Sequence, residues 1–338
     1  MTFIAAFRFH GAPTLVGDFM LSWDDGNYAG LSKKVDIISD NFALAWTGST
    51  KYASLALRHL RDNCRDKRNS LASVEQCLAS IPEPDEEDSS LVIIGWVIEK
   101  HPVAFRWSSN TPFGLKTNIE PIYEGSGKNA CKEVFGEIGP KVEENNLKNE
   151  VDRDEFLLSL IANLIHIEQY APEKKNSNER FGFAFEAAVY ENDHFSYISD
   201  IVFTKISVRF DHFGRVENIV QHEKQLKYAA KDSISLVLEI NGNKNITHKI
   251  RSADKLASET PNFLTLQKIV RNIELSWFRV CFVFISLLSE NEKEKTLVVA
   301  IHSSKNPGLI KRKNKQFLAN FPNHTLEHFY RTIQSNEL

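Results

Sequence analysis

The chain has 338 residues, of which 42% are hydrophobic and 25% are charged, and its formal net charge is −3 at pH 7. This composition is typical of a globular protein with a sizeable core, and the charge argues against a general role at nucleic acids or membrane surfaces. No apolar stretch approaches the roughly eighteen residues that a membrane helix needs, and the start lacks the pattern of a signal peptide.

The four cysteines, Cys64, Cys77, Cys131 and Cys281, are far apart in the sequence and form no C-x-x-C pair. This spacing predicts buried thiols in a reducing compartment rather than a disulfide framework or a zinc site. We therefore expect a cytoplasmic protein without a metal.

The first fifty residues predict two consecutive β-hairpins. TFIAAFRF and TLVGDFML flank a turn at 10–13, while KVDII (34–38) and FALAWTG (42–48) flank a turn at 39–41. Antiparallel pairing in the second hairpin places Lys34 opposite about Trp46.

Two helices should follow, the first capped by Ser49 or Thr50 and the second over 70–81. The later predicted elements are strands at 91–99, 102–107 and 119–125, helices at 128–138 and 153–170, and strands at 181–190 and 195–208. This order predicts an α+β fold with antiparallel sheets covered by pairs of helices.

The pattern changes after residue 208, and we expect two parts, 1–208 and 209–338. The second part should contain strands and helices of its own, with strands at 234–241, 246–251, 277–288 and 295–303 and helices at 263–274 and 325–335. The apolar run at 278–288 predicts a central strand.

Pairing within the first hairpin places the chain start opposite about Leu21, with Asp18 near the same end. Lys34 and the backbone of Gly48 emerge together at one end of the second hairpin. If the two hairpins are neighbours in one sheet, Thr2, Asp18, Lys34 and Gly48 converge.

Such a group has a clear chemistry. Once Met1 is removed, Thr2 carries a hydroxyl and a free α-amine with an ordinary pKa of about 7.7–8.0, which suits a general base. A cationic Lys34 would favour the neutral amine and stabilise the alkoxide, while Asp18 would keep Lys34 charged and oriented. The Gly48 N–H would receive the oxyanion, a contact worth about 3 kcal/mol.

Each residue also has an ordinary structural explanation. Thr2 is a small residue at a position where small residues are common, and Asp18 suits the end of a strand. Lys34 can belong to a solvated Lys33-Lys34 pair, and Gly48 can relieve the turn between a strand and a helix.

Four short motifs in register resemble proteasome-type β subunits, particularly the bacterial proteasome-like peptidases, within the N-terminal-nucleophile hydrolases. These motifs are V-G-D with Asp18, K-K-V with Lys34, A-W-T-G-S-T (45–50) and I-Y-E-G-S-G-K (122–128). The resemblance covers about residues 2–170 and extends to about 208 by element order.

The resemblance implies a four-layer αββα sandwich and threonine-type hydrolysis of amide bonds in a peptide or protein substrate, without a metal or organic cofactor. It also implies that Ser126 supports the amine of the nucleophile, that Leu21, Trp46 and Thr50 line the substrate pocket, and that the chain forms homo-oligomers. Residues 209–338 lie outside the resemblance and are candidates for gating, assembly or binding a protein partner.

The sequence departs from the family in three respects, and the first is its start at Met1, which makes activity depend on removal of this methionine. The second acid that the family usually carries has no clear equivalent in the polar loop, where Asn178 or Glu179 is the candidate substitute. Trp46 stands where the family commonly has a small residue, so its indole would restrict or close the pocket. A catalytically silent scaffold or binding protein with the same fold is therefore the alternative.

Other motifs predict no further site. G-S-G-K (125–128) lacks the spacing of a phosphate-binding loop, and His324 and His328 have no evident third metal ligand. W-D-D-G-N (23–27) is a plain turn, and the basic run 311–315 is a solvated loop or, as an alternative, a docking point for an acidic partner.

Overall fold

A computed structural model provides the structure of this chain. It describes residues 3–9, 11–22, 28–65, 67–82, 90–111, 115–117, 121–129, 132, 157–158, 161–162, 164–165, 182, 184–231, 234–241, 244–255, 267–268, 270–272, 276–288, 295–313 and 316–335. The chain forms two compact units. The first comprises Met1–Ile198, Ala230–Ser235 and Ile250–Thr260, and the second comprises Ser199–Ala229, Leu236–Lys249 and Pro261–Leu338.

The first sheet of the first unit contains the N-terminal hairpin. Among the described residues its five strands follow the order β10-β1-β2-β11-β12 and are all antiparallel. Their bounds are β1 Phe3–Phe9, β2 Ala12–Asp18, β10 Ile122–Gly125, β11 Phe185–Glu191 and β12 His194–Tyr197.

The register of the first hairpin differs from the prediction. Phe9 pairs with Ala12 and Ile4 with Gly17, so the start of β1 lies beside Asp18 and not beside Leu21. The reason is a tight turn at Gly11, whose φ of 82° favours glycine. Leu21 belongs to a separate short hairpin, formed by β3 (Met20–Ser22) and β4 (Tyr28–Leu31).

The second sheet contains the second predicted hairpin. Its described strands follow the order β5-β6-β7-β8-β9, again antiparallel. Their bounds are β5 Val35–Ser39, β6 Phe42–Gly48, β7 Leu91–Ile98, β8 Pro102–Ser108 and β9 Lys116–Thr117. The backbone N–H of Trp46 donates to the Lys34 carbonyl at 3.1 Å, which confirms the predicted pairing of these two residues.

The two hairpins therefore lie in different sheets, so the condition that they are neighbours in one sheet is not met. One core cluster joins the sheets face to face, with Ile4 and Leu15 from the first sheet and Ala43, Ala45 and Ile94 from the second. These side chains are apolar, so packing the two sheets face to face removes them from water. A single continuous sheet would leave the same faces exposed to solvent.

Helices α1 (Thr50–Cys64) and α2 (Leu71–Ala79) pack on the outer face of the second sheet. Ser49 caps α1 by accepting from the Tyr52 N–H, and Ser70 forms a capping box with Ser73 at the start of α2. A second core cluster joins both helices to the large side chains of β6. The Sγ atoms of Cys64 and Cys77 lie 3.4 Å apart; Cys64 is buried, as predicted, whereas Cys77 is only partly buried.

The predicted helices at 128–138 and 153–170 lie largely outside the described residues. Residues 128–129, 132, 157–158, 161–162 and 164–165 are helical. Of these, Leu157, Leu158, Ile161, Ala162, Leu164 and Ile165 are buried.

The second unit is built around a sheet with the order β17-β16-β15-β13-β18-β19, in which β14 also pairs with β13. The bounds are β13 Ile201–Phe210, β14 Val216–Gln221, β15 Lys224–Lys231, β16 Ile234–Asn241, β17 Lys244–Arg251, β18 Val280–Leu288 and β19 Lys295–His302. β18 lies between β13 and β19 and is almost entirely buried, which confirms the predicted central strand.

Two expectations about this part of the chain were wrong. The predicted strand at 195–208 is two strands, β12 and β13, which are separated at Asp200, whose φ is 62°. Part of the basic run is strand β20 (Ile310–Lys313), paired with β21 (Gln316–Ala319), and α3 (Asn323–Gln334) follows. No helix in the described parts of the chain is both long and apolar enough to cross a membrane.

Candidate active site

The centre of the candidate site is an ion pair between Asp18, at the end of β2, and Lys34, just before β5. The Lys34 Nζ lies 2.7 Å from Asp18 Oδ1, and both side chains are completely buried. Lys34 also donates to the Met20 carbonyl. This burial contradicts the interpretation of Lys34 as part of a solvated lysine pair.

Asp18 binds two backbone N–H groups in addition to Lys34. The Phe3 N–H donates to Oδ1 at 3.0 Å, and the Gly182 N–H donates to Oδ2 at 2.9 Å. A carboxylate that accepts three donors is rigidly oriented. Asp18 therefore fixes the start of β1 and the segment before β11 around Lys34.

The register of the first sheet places four positions in one row around this pair. Phe3 pairs with Gly125 of β10 on one side and donates to Asp18 of β2 on the other, while Asp18 pairs with Phe185 of β11. Ser126 follows Gly125 directly and is partly buried. The structure thus brings Asp18, Lys34 and the position of Ser126 to one end of the first unit, whereas Thr2 lies outside the described residues.

Burial changes the acid–base behaviour of Lys34. Desolvation lowers the pKa of its ammonium, and the charge of Asp18 and its hydrogen bond oppose this effect only in part. The 2.7 Å contact with Asp18 orients the Lys34 ammonium, as expected, while burial makes its charged form less favourable than that of a lysine in water.

Gly48 lies at the same end of the second hairpin as Lys34, because it is only two residues beyond Trp46, which pairs with Lys34. Its φ is 117°, and a Cβ atom at this position would lie 2.2 Å from the Ser90 carbonyl oxygen. Only glycine fits here. The close approach of the backbone to Ser90, just before β7, is therefore sufficient to explain a glycine at this position without a catalytic role.

The three predicted pocket residues differ in their surroundings. Trp46 is completely buried in the core between β6 and α1, and its Nε1 has no hydrogen-bond partner within the described part of the chain. Leu21 packs against the same core, and Thr50 is the first residue of α1 and is partly exposed. The indole therefore fills the space beside α1 and presents no surface to a substrate.

The candidates for the second acid, Asn178 and Glu179, lie outside the described residues. Gly182, a few positions later, contacts Asp18 directly, although it was not among the predicted site residues. Its only sequence signal is its place in R-F-G after a polar stretch, and its φ of 140° favours glycine.

A second buried lysine, Lys33, lies next to Lys34, and no sequence pattern predicted its partners. The Lys33 Nζ lies 3.0 Å from Glu186 Oε2 and donates to Ser235 Oγ at 3.0 Å, and it lies 3.5 Å from the centre of the Tyr197 ring. The Ser235 hydroxyl donates to the same Glu186 oxygen at 3.0 Å. Burial raises the pKa of Glu186, and Lys33 opposes that rise.

Arg61 of α1 forms a third buried charged cluster. Its guanidinium lies 2.6 Å from Asp36 Oδ1 and 2.7 Å from Asp254 Oδ2, and it donates to Ser252 Oγ at 3.3 Å. Burial raises the pKa of Asp36, although Arg61 opposes the rise. The cluster binds helix α1, strand β5 and the segment around 252–254 together.

A wide cavity of about 1090 Å³ lies at the opposite end of the second hairpin, beside the turn at 37–41. Its charged lining comprises Asp40, Arg65, Lys67, Arg68 and Asp193. β5 runs from the Lys34 end of the hairpin to this turn, about 16 Å at 3.3 Å per residue, so the cavity is separate from the ion pair.

No metal site is evident among the residues that the structure describes, where no three His, Cys, Asp or Glu side chains form a suitable group. His324 and His328 both lie on α3, as a plain helical pair. The sequence matches no protein-family model and no curated protein significantly.

Proposed function

We propose that the chain is a proteasome-like threonine peptidase that uses Thr2 as its nucleophile. The observation that carries this proposal is the buried Asp18–Lys34 pair, which is bonded to the backbone of Phe3. Phe3 follows Thr2 directly, so a nucleophilic Thr2 would have an oriented lysine and a carboxylate near it, which supports the proposal.

The reaction would proceed through an acyl-enzyme. After Met1 is removed, the α-amine of Thr2 takes the proton of the Thr2 hydroxyl, directly or through a water, and Oγ bonds to the substrate carbonyl carbon. The Gly48 N–H receives the oxyanion. The C–N bond then breaks, the leaving amine takes the proton, and water hydrolyses the ester by the same steps in reverse order.

Lys34 would act electrostatically and as a proton reservoir. Its charge stabilises the developing alkoxide, and its lowered pKa makes proton exchange with the amine less costly than for an ordinary lysine. Ser126, beside the same row of the sheet, would support the amine. No metal or organic cofactor takes part in this scheme.

The proposed architecture is the four-layer αββα sandwich. Two facing antiparallel sheets and one outer pair of helices support it. The buried helical positions between 157 and 165 would belong to the fourth layer, on the outer face of the first sheet. A cytoplasmic homo-oligomer that acts on peptides or proteins remains our expectation from the resemblance.

One observation favours a second candidate function, a catalytically silent scaffold or binding protein. Trp46 has no exposed surface and fills the place of the predicted pocket base. A chain with this arrangement would keep the fold and the Asp18–Lys34 pair but would accept no substrate side chain.

Labelling with a peptide epoxyketone or a β-lactone tests the choice between the two. Intact-mass analysis first establishes whether Thr2 is the N-terminal residue. The peptidase predicts one covalent adduct on the wild type and on the control Thr117→Ala, and none on Thr2→Ala. Adducts that persist in Thr2→Ala refute the nucleophile, while a processed N-terminus that remains unlabelled by small probes of both kinds favours the scaffold.

A further inference from the structure

The two segments that return from the later part of the chain into the first unit contact the residues on both sides of Lys34. These segments are Ala230–Ser235 and Ile250–Thr260, and they come after residue 208 in the sequence. We propose that Ser235, Ser252 and Asp254, which these segments supply, are positioning residues for Lys34. That these residues position Lys34 does not depend on the proposed function; that their loss would affect catalysis rests on it.

The segment at 251–252 fixes the backbone immediately before Lys34. The Lys33 N–H donates to the Arg251 carbonyl at 2.9 Å, and Lys33 forms a parallel bridge with Ser252. The Ser32 hydroxyl contacts the same carbonyl at 3.3 Å. Since β5 begins only at Val35, these contacts hold a stretch that the sheet itself does not.

The side chain of Lys33 adds a second attachment. Consecutive residues of an extended chain point to opposite sides, so Lys33 and Lys34 reach different partners. Ser235 lies between Lys33 and Glu186, at 3.0 Å from each, and completes a buried triangle of hydrogen bonds. Without this hydroxyl, a buried ammonium and a buried carboxylate each lose a partner.

The other side of Lys34 is held through Asp36. Arg61 binds Asp36 and Asp254 at 2.6 and 2.7 Å, so the segment near 254 fixes β5 two residues beyond Lys34. Tyr197 strengthens the same stretch, because its hydroxyl donates to the Val35 carbonyl and accepts from the Ile37 N–H, both at 3.1 Å.

These attachments give the later part of the chain a role in the candidate site. They restrict the backbone at positions 32–36 and thereby keep Lys34 in its buried position against Asp18 and Met20. If they are loosened, water reaches Lys34 and its pKa moves back towards 10.5, the value from which burial lowers it.

An NMR titration of ¹³Cε-labelled lysine in the full chain tests the proposal without any assumption about activity. The Lys34 signal is assigned by its loss in Lys34→Arg. Ser235→Ala and Asp254→Asn are each expected to raise the Lys34 midpoint by about 0.5 pH units or more, a threefold change in its proton affinity.

Ser276→Ala is the matched control, because Ser276 is likewise hydrogen-bonded to a buried lysine, Lys227 at 2.8 Å, but lies in the second unit. It should leave the Lys34 midpoint unchanged. An unchanged midpoint in both Ser235→Ala and Asp254→Asn, with the wild-type pattern of backbone amide signals, would overturn the proposal. Two variants are used so that the test still holds if one of them misfolds. A Lys34 midpoint that moves equally in Ser276→Ala also counts against the proposal.

The labelling experiment separates failure of this proposal from failure of the proposed function. If the wild type is labelled on Thr2, the two variants should lower the maximal labelling rate about threefold or more and shift its pH profile, with little change in the inhibitor concentration for half-maximal rate. If the wild type is not labelled, the proposed function fails, while the titration alone still decides whether the segments position Lys34.

Discussion

Removal of the Lys34 charge is expected to destabilise the first unit strongly, and removal of both charges of the pair much less. In Lys34→Met the Asp18 carboxylate stays buried with two backbone donors but without its counter-ion. Breaking a buried pair in this way costs about 3–5 kcal/mol. Asp18→Asn leaves the Lys34 ammonium buried beside the Met20 carbonyl, and we expect a similar loss.

The double variant Lys34→Met/Asp18→Asn contains neither charge. An asparagine still accepts one of the two backbone N–H groups, so the remaining cost is about 1–3 kcal/mol for one group without a partner. Two single losses of about 3–5 kcal/mol each, against about 1–3 kcal/mol for the double variant, make the double variant more stable than the sum of the single effects by at least about 3 kcal/mol.

Urea unfolding followed by tryptophan fluorescence measures these differences. In a Trp277→Phe background every remaining tryptophan lies in the first unit, so the signal reports that unit. Lys100→Met, at an exposed lysine, is the control and should change stability by less than about 0.5 kcal/mol. Single effects that add within about 0.5 kcal/mol would refute the buried, coupled pair.

Two further outcomes follow from the geometry. Gly48→Ala should lower the free energy of unfolding in urea by about 1–3 kcal/mol more than Gly11→Ala does. Both glycines have a positive φ, but of the two only Gly48 has a carbonyl oxygen close to the position of the new Cβ. Equal losses would contradict the steric argument. Burial lowers the pKa of Lys227 to about 8. Between pH 8 and the ordinary value of 10.5 the unfolded chain therefore binds more protons at this lysine than the folded chain, and stability rises with pH. Lys227→Met should flatten that rise in thermal unfolding of the second unit, and an unchanged pH profile would contradict this expectation.

Local patterns were sufficient to predict most strands and helices of the first unit. The run FALAWTG became β6 with the predicted bounds, and Ser49 caps α1 as expected. Both features depend on a few neighbouring residues, whose alternation or capping chemistry is visible in the sequence. The alternation in β6 also explains the position of Trp46, since the large residues Phe42, Leu44 and Trp46 face the helices and the alanines between them face the other sheet.

Long-range partners could not be predicted in this way. Whether two hairpins share one sheet or lie in facing sheets depends on which faces are buried, and both arrangements bring Asp18 close to Lys34. Glu186, Ser235 and Asp254 lie 153 to 202 residues along the chain from the side chains that they contact. These side chains are Lys33 for the first two and Arg61 for the third. No local pattern relates positions so far apart, so the two returning segments became evident only from the fold.

The burial of Lys34 bears on the choice between an enzyme and a scaffold. Replacing a buried ion pair by apolar residues of similar volume is often neutral or stabilising. If Lys34→Met combined with Asp18→Leu equals or exceeds the wild type in stability, the pair adds nothing to folding, and its remaining use is the chemistry at Thr2. If this apolar variant is clearly less stable, the three donors that Asp18 gathers explain the pair as a structural junction, and the scaffold gains support. The comparison thus uses stability alone to weigh the two proposed functions, before any substrate is known.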